Sequence, residues 1–140
     1  MALLTVDDCK VIDLPKIPDF RGNLSYVEGA RHIPFRVART YWIYDVPGNA
    51  VRGGHAYREL EEFMIALSGN FEVRLDDGVT SRSVRLSRSH YGIYVAPGIW
   101  RQLADFSTNS VCLILASRPY SEVDYIREYD HFSAFRKENA

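Results

Sequence analysis

The stretch from His55 to Gly69, HAYRELEEFMIALSG, decides the fold of this chain and directs each functional hypothesis. It combines a histidine, a tyrosine two positions later, and the carboxylate Glu62 ahead of the closing glycine. Imidazole and carboxylate side chains at such spacing are typical ligands of divalent metals. Tyr57 stands where this pattern has its second histidine, so the stretch is a metal-binding signature with one ligand changed.

A second motif lies further along the chain, at Gly92–Arg101 (GIYVAPGIWR). Together the two motifs resemble the paired signatures of cupin barrels, in which three histidines and one glutamate hold a metal. Tyr57 and Arg101 replace two of those four ligands. A guanidinium carries a permanent positive charge and repels a cation. We therefore predict no metal. We expect His55, Tyr57, Glu62 and Arg101 to project from neighbouring strands into the barrel mouth, where they take part in proton chemistry.

Length and composition set the class of protein. A chain of 140 residues with 46% hydrophobic and 25% charged residues is typical of one globular domain. The net charge of −1 argues against nucleic acid as a partner, which calls for a basic stripe. The sequence shows neither a secretion signal nor an apolar run that could span a membrane, which predicts a cytoplasmic protein. Cys9 and Cys112 lack paired spacing and are interpreted as buried thiols.

Short strands dominate the middle of the chain, as in a sandwich or barrel. The tail instead shows helical spacing, and Ser121 with Asp124 resembles a capping box. We predict one all-β domain: a cupin (RmlC-like) double-stranded β-helix or jelly-roll barrel, with an N-terminal arm over about 1–20 and a short C-terminal helical segment over about 121–138. The predicted strands are Asn23–Val27, Thr40–Asp45, Phe63–Ser68, Phe71–Leu75, Val84–Leu86, Gly92–Val95 and Ser110–Ser117.

Nearly the whole chain resembles one family, the WxcM-like dTDP-4-keto-6-deoxy-D-glucose 3,4-ketoisomerases of bacterial surface-sugar biosynthesis, which are small cupins. The resemblance is carried in order by RGNL at 21–24, IPF at 33–35, RTY at 39–41, RGGHA at 52–56, LSG at 67–69, LDDG at 75–78, GIYV at 92–95 with Trp100, LAS at 115–117, and DYIR at 124–127 with Tyr129 and Asp130.

The resemblance implies a reaction and its participants. The keto group of a dTDP-linked 4-keto-6-deoxyhexose moves from C4 to C3 through an enediol(ate), without metal or redox cofactor. The resemblance makes His55 the catalytic base and puts Tyr41 beside the sugar, where it assists proton transfer. It also implies a homodimer, with N-terminal strand exchange as one form of it.

The residue types suggest further roles. Arg101 takes the place of the metal, so we predict that it stabilises the enediolate oxygen. Arg21 and Arg52 are candidates for the diphosphate. Tyr57, Glu62 and Trp100 complete the predicted substrate-binding set. Each of these side chains also has a structural alternative, such as core packing or a solvated ion pair.

Departures from the family pattern keep alternatives open. Many members have histidine where this chain has Tyr57, and a phenol is a poor base at neutral pH. The positions of Arg21 and Arg101 divide the family by product stereochemistry at C4, and arginine at both leaves that stereochemistry open. One alternative is 3,5-epimerase-type activity on the same substrate, as in related rhamnose-pathway cupins. Another is a non-catalytic sugar-nucleotide-binding module.

Overall fold

The computed structural model describes residues 3–140. Within them the chain forms twelve strands, two 3-10 turns (Val6–Asp8 and Glu122–Asp124) and the helix α1 (Tyr129–Glu138). The strands are β1 (Val11–Asp13), β2 (Lys16–Ile17), β3 (Leu24–Ser25), β4 (Arg39–Tyr44), β5 (Arg52–Tyr57), β6 (Glu62–Ser68), β7 (Phe71–Asp76), β8 (Ser81–Leu86), β9 (Tyr91–Val95), β10 (Trp100–Ala104), β11 (Val111–Ala116) and β12 (Tyr125–Ile126).

Two antiparallel five-stranded sheets build the barrel. Their strand orders are β1-β9-β6-β11-β4 and β12-β5-β10-β7-β8, and β2 and β3 form a separate hairpin. Apolar side chains from both sheets share one core, which includes Met64, Phe71, Leu75, Ile93, Leu103 and Ile114. This two-sheet arrangement with a short C-terminal helix confirms the predicted fold class.

Local sequence explains the strands that were predicted. Along β7 the side chains of Phe71, Val73 and Leu75 are buried and alternate with more exposed neighbours, as the period of a strand requires. Gly69 turns the chain between β6 and β7 with φ +69, and a Cβ there would lie 2.5 Å from the Ser110 hydroxyl. The final glycine of the signature is therefore required by both conformation and space.

The site residues lie on strands, although the bounds of two of these strands were not predicted. No bounds were predicted for β5 or β10, but the expected placement of His55 and Arg101 on neighbouring strands is confirmed. Two glycines weaken the strand signal of β5. The strand β1 pairs with β9, so residues 11–13 of the expected N-terminal arm belong to the first sheet.

The tail corrects one prediction. Ser121 makes no side-chain capping bond, and the residues after it form a single 3-10 turn followed by β12. The helix begins only at Tyr129 and buries Phe132 against Trp100 and Ile126. The expected capping box is therefore wrong, because β12 pairs with β5 and holds this segment extended.

Two other sequence-based points can be compared with the structure. Cys9 and Cys112 are free, buried thiols, as expected. Among residues 3–140, no helix has the length and apolar character needed to cross a membrane. The cytoplasmic location stays a prediction.

Candidate active site

Four strands from both sheets bring polar side chains together inside the barrel. Tyr41 comes from β4 and Glu62 from β6, while His55 comes from β5 and Arg101 from β10. His55 and Arg101 are direct cross-strand partners. The two sequence motifs therefore meet in space as predicted.

A buried ion pair forms the centre of this cluster. Arg101 Nε donates to Glu62 Oε1 at 2.8 Å, and Nη2 donates to Oε2 at 3.1 Å. The Tyr41 hydroxyl donates to Glu62 Oε2 at 2.6 Å and accepts from Arg101 Nη2 at 3.1 Å. Side-chain exposure is only 2% for Arg101 and 1% for Glu62. Because the charges are paired and bonded, their burial is tolerated.

A bulge in β5 supplies a further partner for the guanidinium. His55 pairs with Arg101, but Leu103 pairs with Arg52, so β5 has one more residue than β10 across this interval. Gly53 takes φ +72 here, and its carbonyl accepts from Arg101 Nη1 at 2.9 Å. A glycine in this left-handed conformation is typical of a bulge. Four of the five guanidinium N–H groups are thus engaged, and the second N–H of Nη1 has no hydrogen-bond partner within residues 3–140.

His55 and Tyr57 differ from the ion pair because their polar atoms are unpaired. His55 Nε2 and the Tyr57 hydroxyl are buried and lack a hydrogen-bond partner within residues 3–140. The two rings lie edge to face with centroids 4.9 Å apart, and the Tyr125 ring lies 5.0 Å from His55 and 4.6 Å from Tyr57. Buried polar atoms are rarely left unpaired in folded proteins, so this pair is the candidate ligand-binding edge.

Burial and charge set the protonation states of the cluster. Burial, followed by the positive charge of Arg101, lowers the pKa of His55 from 6.5 to about 2, which keeps its imidazole neutral. Burial and the nearby Glu62 carboxylate raise the pKa of Tyr41 and of Tyr57, so both phenols stay protonated. Burial opposes the charge of Arg101, but Glu62 outweighs it and raises the arginine pKa.

Further residues border the cluster that the sequence analysis did not assign. Arg39 lies beside the rings of Tyr41 and Tyr120, with Cζ 5.0 and 5.5 Å from their centroids. Arg127 covers Tyr125 at 4.0 Å. They come from strands and turns distant in sequence from both motifs, so motif spacing gave no signal for them.

Three predicted site residues lie outside the cluster. Arg21 is 77% exposed and binds Asp19 within its own hairpin. Arg52 is exposed at the start of β5. Trp100 packs beneath α1, against Tyr129 and Phe132, on the face of β10 opposite Arg101. The substrate contacts assigned to Arg21, Arg52 and Trp100 stay predictions.

The cluster does not suit a metal ion. Both oxygens of Glu62 accept hydrogen bonds from the Arg101 guanidinium, so the carboxylate already has a positively charged partner. His55 then remains as one imidazole beside two phenols. A divalent ion needs several such ligands free to converge on it, so we derive no step through a metal.

Comparison with known proteins agrees with this geometry. A family model described as "WxcM-like, C-terminal" matches residues 7–137. The chain is 42% identical over 126 residues to a TDP-4-oxo-6-deoxy-alpha-D-glucose-3,4-oxoisomerase from Aneurinibacillus thermoaerophilus, covering 90% of this chain and 91% of the relative.

Solved structures extend the comparison. One is a histidine-to-asparagine variant of a 3,4-ketoisomerase from Thermoanaerobacterium thermosaccharolyticum, in complex with TDP-4-keto-6-deoxyglucose. It aligns with a TM-score of 0.91 at 34% identity, over 93% of this chain and 94% of that chain. An RmlC epimerase from Mycobacterium tuberculosis aligns with a TM-score of 0.75 at 18% identity, over 89% and 70% of the two chains, which shows the fold alone.

Proposed function

Because this chain belongs to the WxcM-like family, we propose that it is a sugar-nucleotide 3,4-ketoisomerase. Its substrate is a TDP-linked 4-keto-6-deoxyhexose, whose keto group moves from C4 to C3 through an enediol(ate). The relatives named as 3,4-ketoisomerases cover at least nine-tenths of the chain, which supports this assignment.

The observation that carries the proposal is the unpaired Nε2 of His55. A buried, neutral imidazole whose nitrogen is free can accept a proton from C3 of a bound sugar. At rest this imidazole is a weak base, because burial and Arg101 oppose its charge. A negative charge developing on the substrate raises the pKa of His55, so proton transfer is tied to the presence of the enediolate.

Arg101 stabilises the enediolate as a hydrogen-bond donor held in a fixed position, because its charge is already paired with Glu62. Its partnership with Glu62 and Tyr41 fixes the guanidinium, and the remaining N–H on Nη1 is available to a substrate oxygen. A donor held in place before the reaction needs no reorganisation when the oxyanion forms. Glu62 thus acts as a positioning residue for Arg101.

The alternatives receive less support. The epimerase structure shares the fold at 18% identity, whereas the two ketoisomerases compared above match at 34% and 42% identity over at least nine-tenths of the chain. The relatives compared above are named as isomerases, which favours catalysis over a non-catalytic binding module.

One experiment separates these functions. The protein is incubated in D₂O with dTDP-4-keto-6-deoxyglucose, and the product is examined by NMR. We expect a 3-keto product with deuterium at C4, and no product from His55→Asn. Deuterium at C5 points to epimerase chemistry, while tight TDP binding without turnover points to a binding module. Folded protein that gives neither exchange nor product contradicts the proposal.

We also propose that the protein is a homodimer. The hairpin of β2 and β3 exposes Phe20 at 97%, and the edge strand β4 exposes Trp42 and Tyr44 at 58% each. Unpaired strand edges with apolar side chains favour pairing with another copy. Sedimentation should give a dimer that Phe20→Asp weakens. Val79→Asp, at a position 94% exposed on another turn, serves as control and should leave the dimer intact.

A further inference from the structure

The Tyr57 hydroxyl has a free hydrogen-bonding capacity that the Tyr41 hydroxyl lacks. Tyr41 is occupied twice, as a donor to Glu62 at 2.6 Å and as an acceptor from Arg101 at 3.1 Å. The Tyr57 oxygen is buried and has no partner within residues 3–140. An unpaired buried hydroxyl is costly, which points to a ligand that completes its bonds.

The position of Tyr57 directs that hydroxyl to the same ligand as His55. Both residues lie on β5 two positions apart, so their side chains leave the same face of the strand. Their rings meet edge to face at 4.9 Å. Tyr125 packs on the Tyr57 ring at 4.6 Å, and Arg101 Cζ lies 5.7 Å from its centre. The phenol is therefore fixed between neighbours, with its oxygen unpaired.

We propose that Tyr57 is a catalytic residue that moves a proton from the C3 hydroxyl oxygen to the C4 oxygen of the substrate. This inference rests on the proposed ketoisomerase function and adds to it. The isomerisation must move a proton between two oxygens as well as between two carbons, and His55 accounts only for the carbons. Tyr41, which the resemblance assigns to proton transfer, has its hydroxyl already bonded to Glu62 and Arg101.

His55 Nε2 takes the proton from C3, its bonding pair forms the C3=C4 double bond, and the carbonyl pair moves onto the C4 oxygen. That oxygen takes the Tyr57 phenol proton while the Tyr57 oxygen takes the proton of the C3 hydroxyl. The proton held by His55 exchanges with solvent, which is the source of deuterium in D₂O. The C3 oxygen pair then forms the new carbonyl, and the double-bond pair takes the exchanged proton from His55 at C4. Both side chains end in their starting states.

A phenol suits this relay although it is a weak base. Burial keeps the pKa of Tyr57 above its usual value, so the hydroxyl retains a proton to donate. The same oxygen carries lone pairs that accept the incoming proton, so no net ionisation is needed. A neutral histidine also combines one donor with one acceptor, and it is the substitution that should preserve the relay.

Tyr57→Phe tests this role because it removes only the hydroxyl and keeps the packed ring. The assay follows dTDP-4-keto-6-deoxyglucose in D₂O, measuring both 3-keto product and deuterium at C3 of recovered substrate. Loss of general acid–base help lowers rates by about 10²–10⁴-fold. We expect isomerisation to fall by at least about 100-fold, while exchange at C3, which needs His55, falls far less. The ratio of exchange to isomerisation should rise by more than about tenfold.

Two further variants complete the design. Tyr57→His should recover at least about tenfold of the lost isomerisation, since it restores a donor and an acceptor. Tyr94→Phe removes a different phenol, bonded to Glu61 at 2.6 Å, and should isomerise at the rate of the unaltered protein. Thermal unfolding monitors the fold of each variant. If Tyr57→Phe does not fold, Tyr57→His is compared with the unaltered protein: isomerisation within about tenfold supports the relay, and a larger fall overturns it.

Several outcomes overturn the relay. One is a rate of isomerisation in Tyr57→Phe within about threefold of that of the unaltered protein. Another is an equal fall in the rates of C3 exchange and isomerisation in Tyr57→Phe. The third is an isomerisation rate in Tyr57→His no higher than in Tyr57→Phe. Failure of the unaltered protein to isomerise the substrate instead rejects the proposed function. The two failures are therefore distinguishable.

Discussion

Replacing Glu62 with glutamine tests whether the buried ion pair stabilises the barrel. Glu62 accepts three hydrogen bonds, from Arg101 Nε at 2.8 Å, Arg101 Nη2 at 3.1 Å and the Tyr41 hydroxyl at 2.6 Å. Glutamine has nearly the same shape but no charge, so Arg101 keeps its charge at 2% exposure without a counter-ion. Breaking a buried pair in this way costs about 3–5 kcal/mol, which is a third or more of the stability of a marginal domain.

Equilibrium unfolding in urea measures this loss. With an m-value of about 2 kcal/mol per molar, a loss of about 4 kcal/mol lowers the urea midpoint by about 2 M. Glu59→Gln is the matched control, because Glu59 pairs with Arg118 at 2.6 Å while their side chains are 63% and 53% exposed. An exposed pair contributes about 0–1 kcal/mol. Equal midpoints for Glu62→Gln and Glu59→Gln refute the reasoning.

Three other predictions follow from the site and its support. In the folded protein His55 stays neutral because its pKa is lowered to about 2, whereas in the unfolded chain it binds a proton below pH 6.5. The free energy of unfolding should therefore fall as pH drops below 6.5, by up to about 1.4 kcal/mol per pH unit. Urea midpoints measured from pH 7.5 to 4.5 should fall less steeply in His55→Asn, and identical slopes exclude this linkage. A Cβ at Gly53 would lie 2.3 Å from Arg101 Nη1, so Gly53→Ala should lower the free energy of unfolding in urea by about 1–3 kcal/mol. Gly48→Ala is the control, because its Cβ would lie 3.4 Å from the nearest atom. Equal losses of stability in the two variants contradict the predicted clash. The carboxylate of Asp124 accepts hydrogen bonds from the backbone N–H groups of Glu59 and Leu60 at 2.9 and 3.0 Å. Asp124→Ala should therefore lower the free energy of unfolding by about 1–3 kcal/mol and the melting temperature with it. An unchanged melting temperature argues against a structural role for Asp124.

The sequence was sufficient for the fold class and for the meeting of the two motifs. Alternation and turn residues identified strands such as β7, and the paired motifs indicated that His55 and Arg101 face one interior. The sequence did not reveal which polar groups of the site lack a hydrogen-bond partner. That the hydroxyl of Tyr41 is bonded and that of Tyr57 is not depends on three-dimensional packing.

Tertiary pairing explains the errors as well. The Ser121 motif has the residue types of a helix start, but pairing of Tyr125 with Tyr57 holds the chain extended. This pairing also brings Tyr125 against His55, a contact that motif spacing cannot reveal. Trp100 occurs inside the second motif, yet strand alternation turns it away from Arg101 and under α1.

The network of Glu62, Arg101, Tyr41 and Gly53 has an evolutionary consequence. Histidine at Arg101 alone removes the partner of a buried carboxylate, and a side chain at Gly53 collides with the guanidinium. Neighbouring substitutions in such a network are strongly non-additive. A variant with three histidines and one glutamate at these positions must change Tyr57 as well as Arg101, and either change alone leaves an unpaired charge or an incomplete ligand set. A substitution at Arg101 or Gly53 should therefore be tolerated only when a neighbouring residue of the network changes with it.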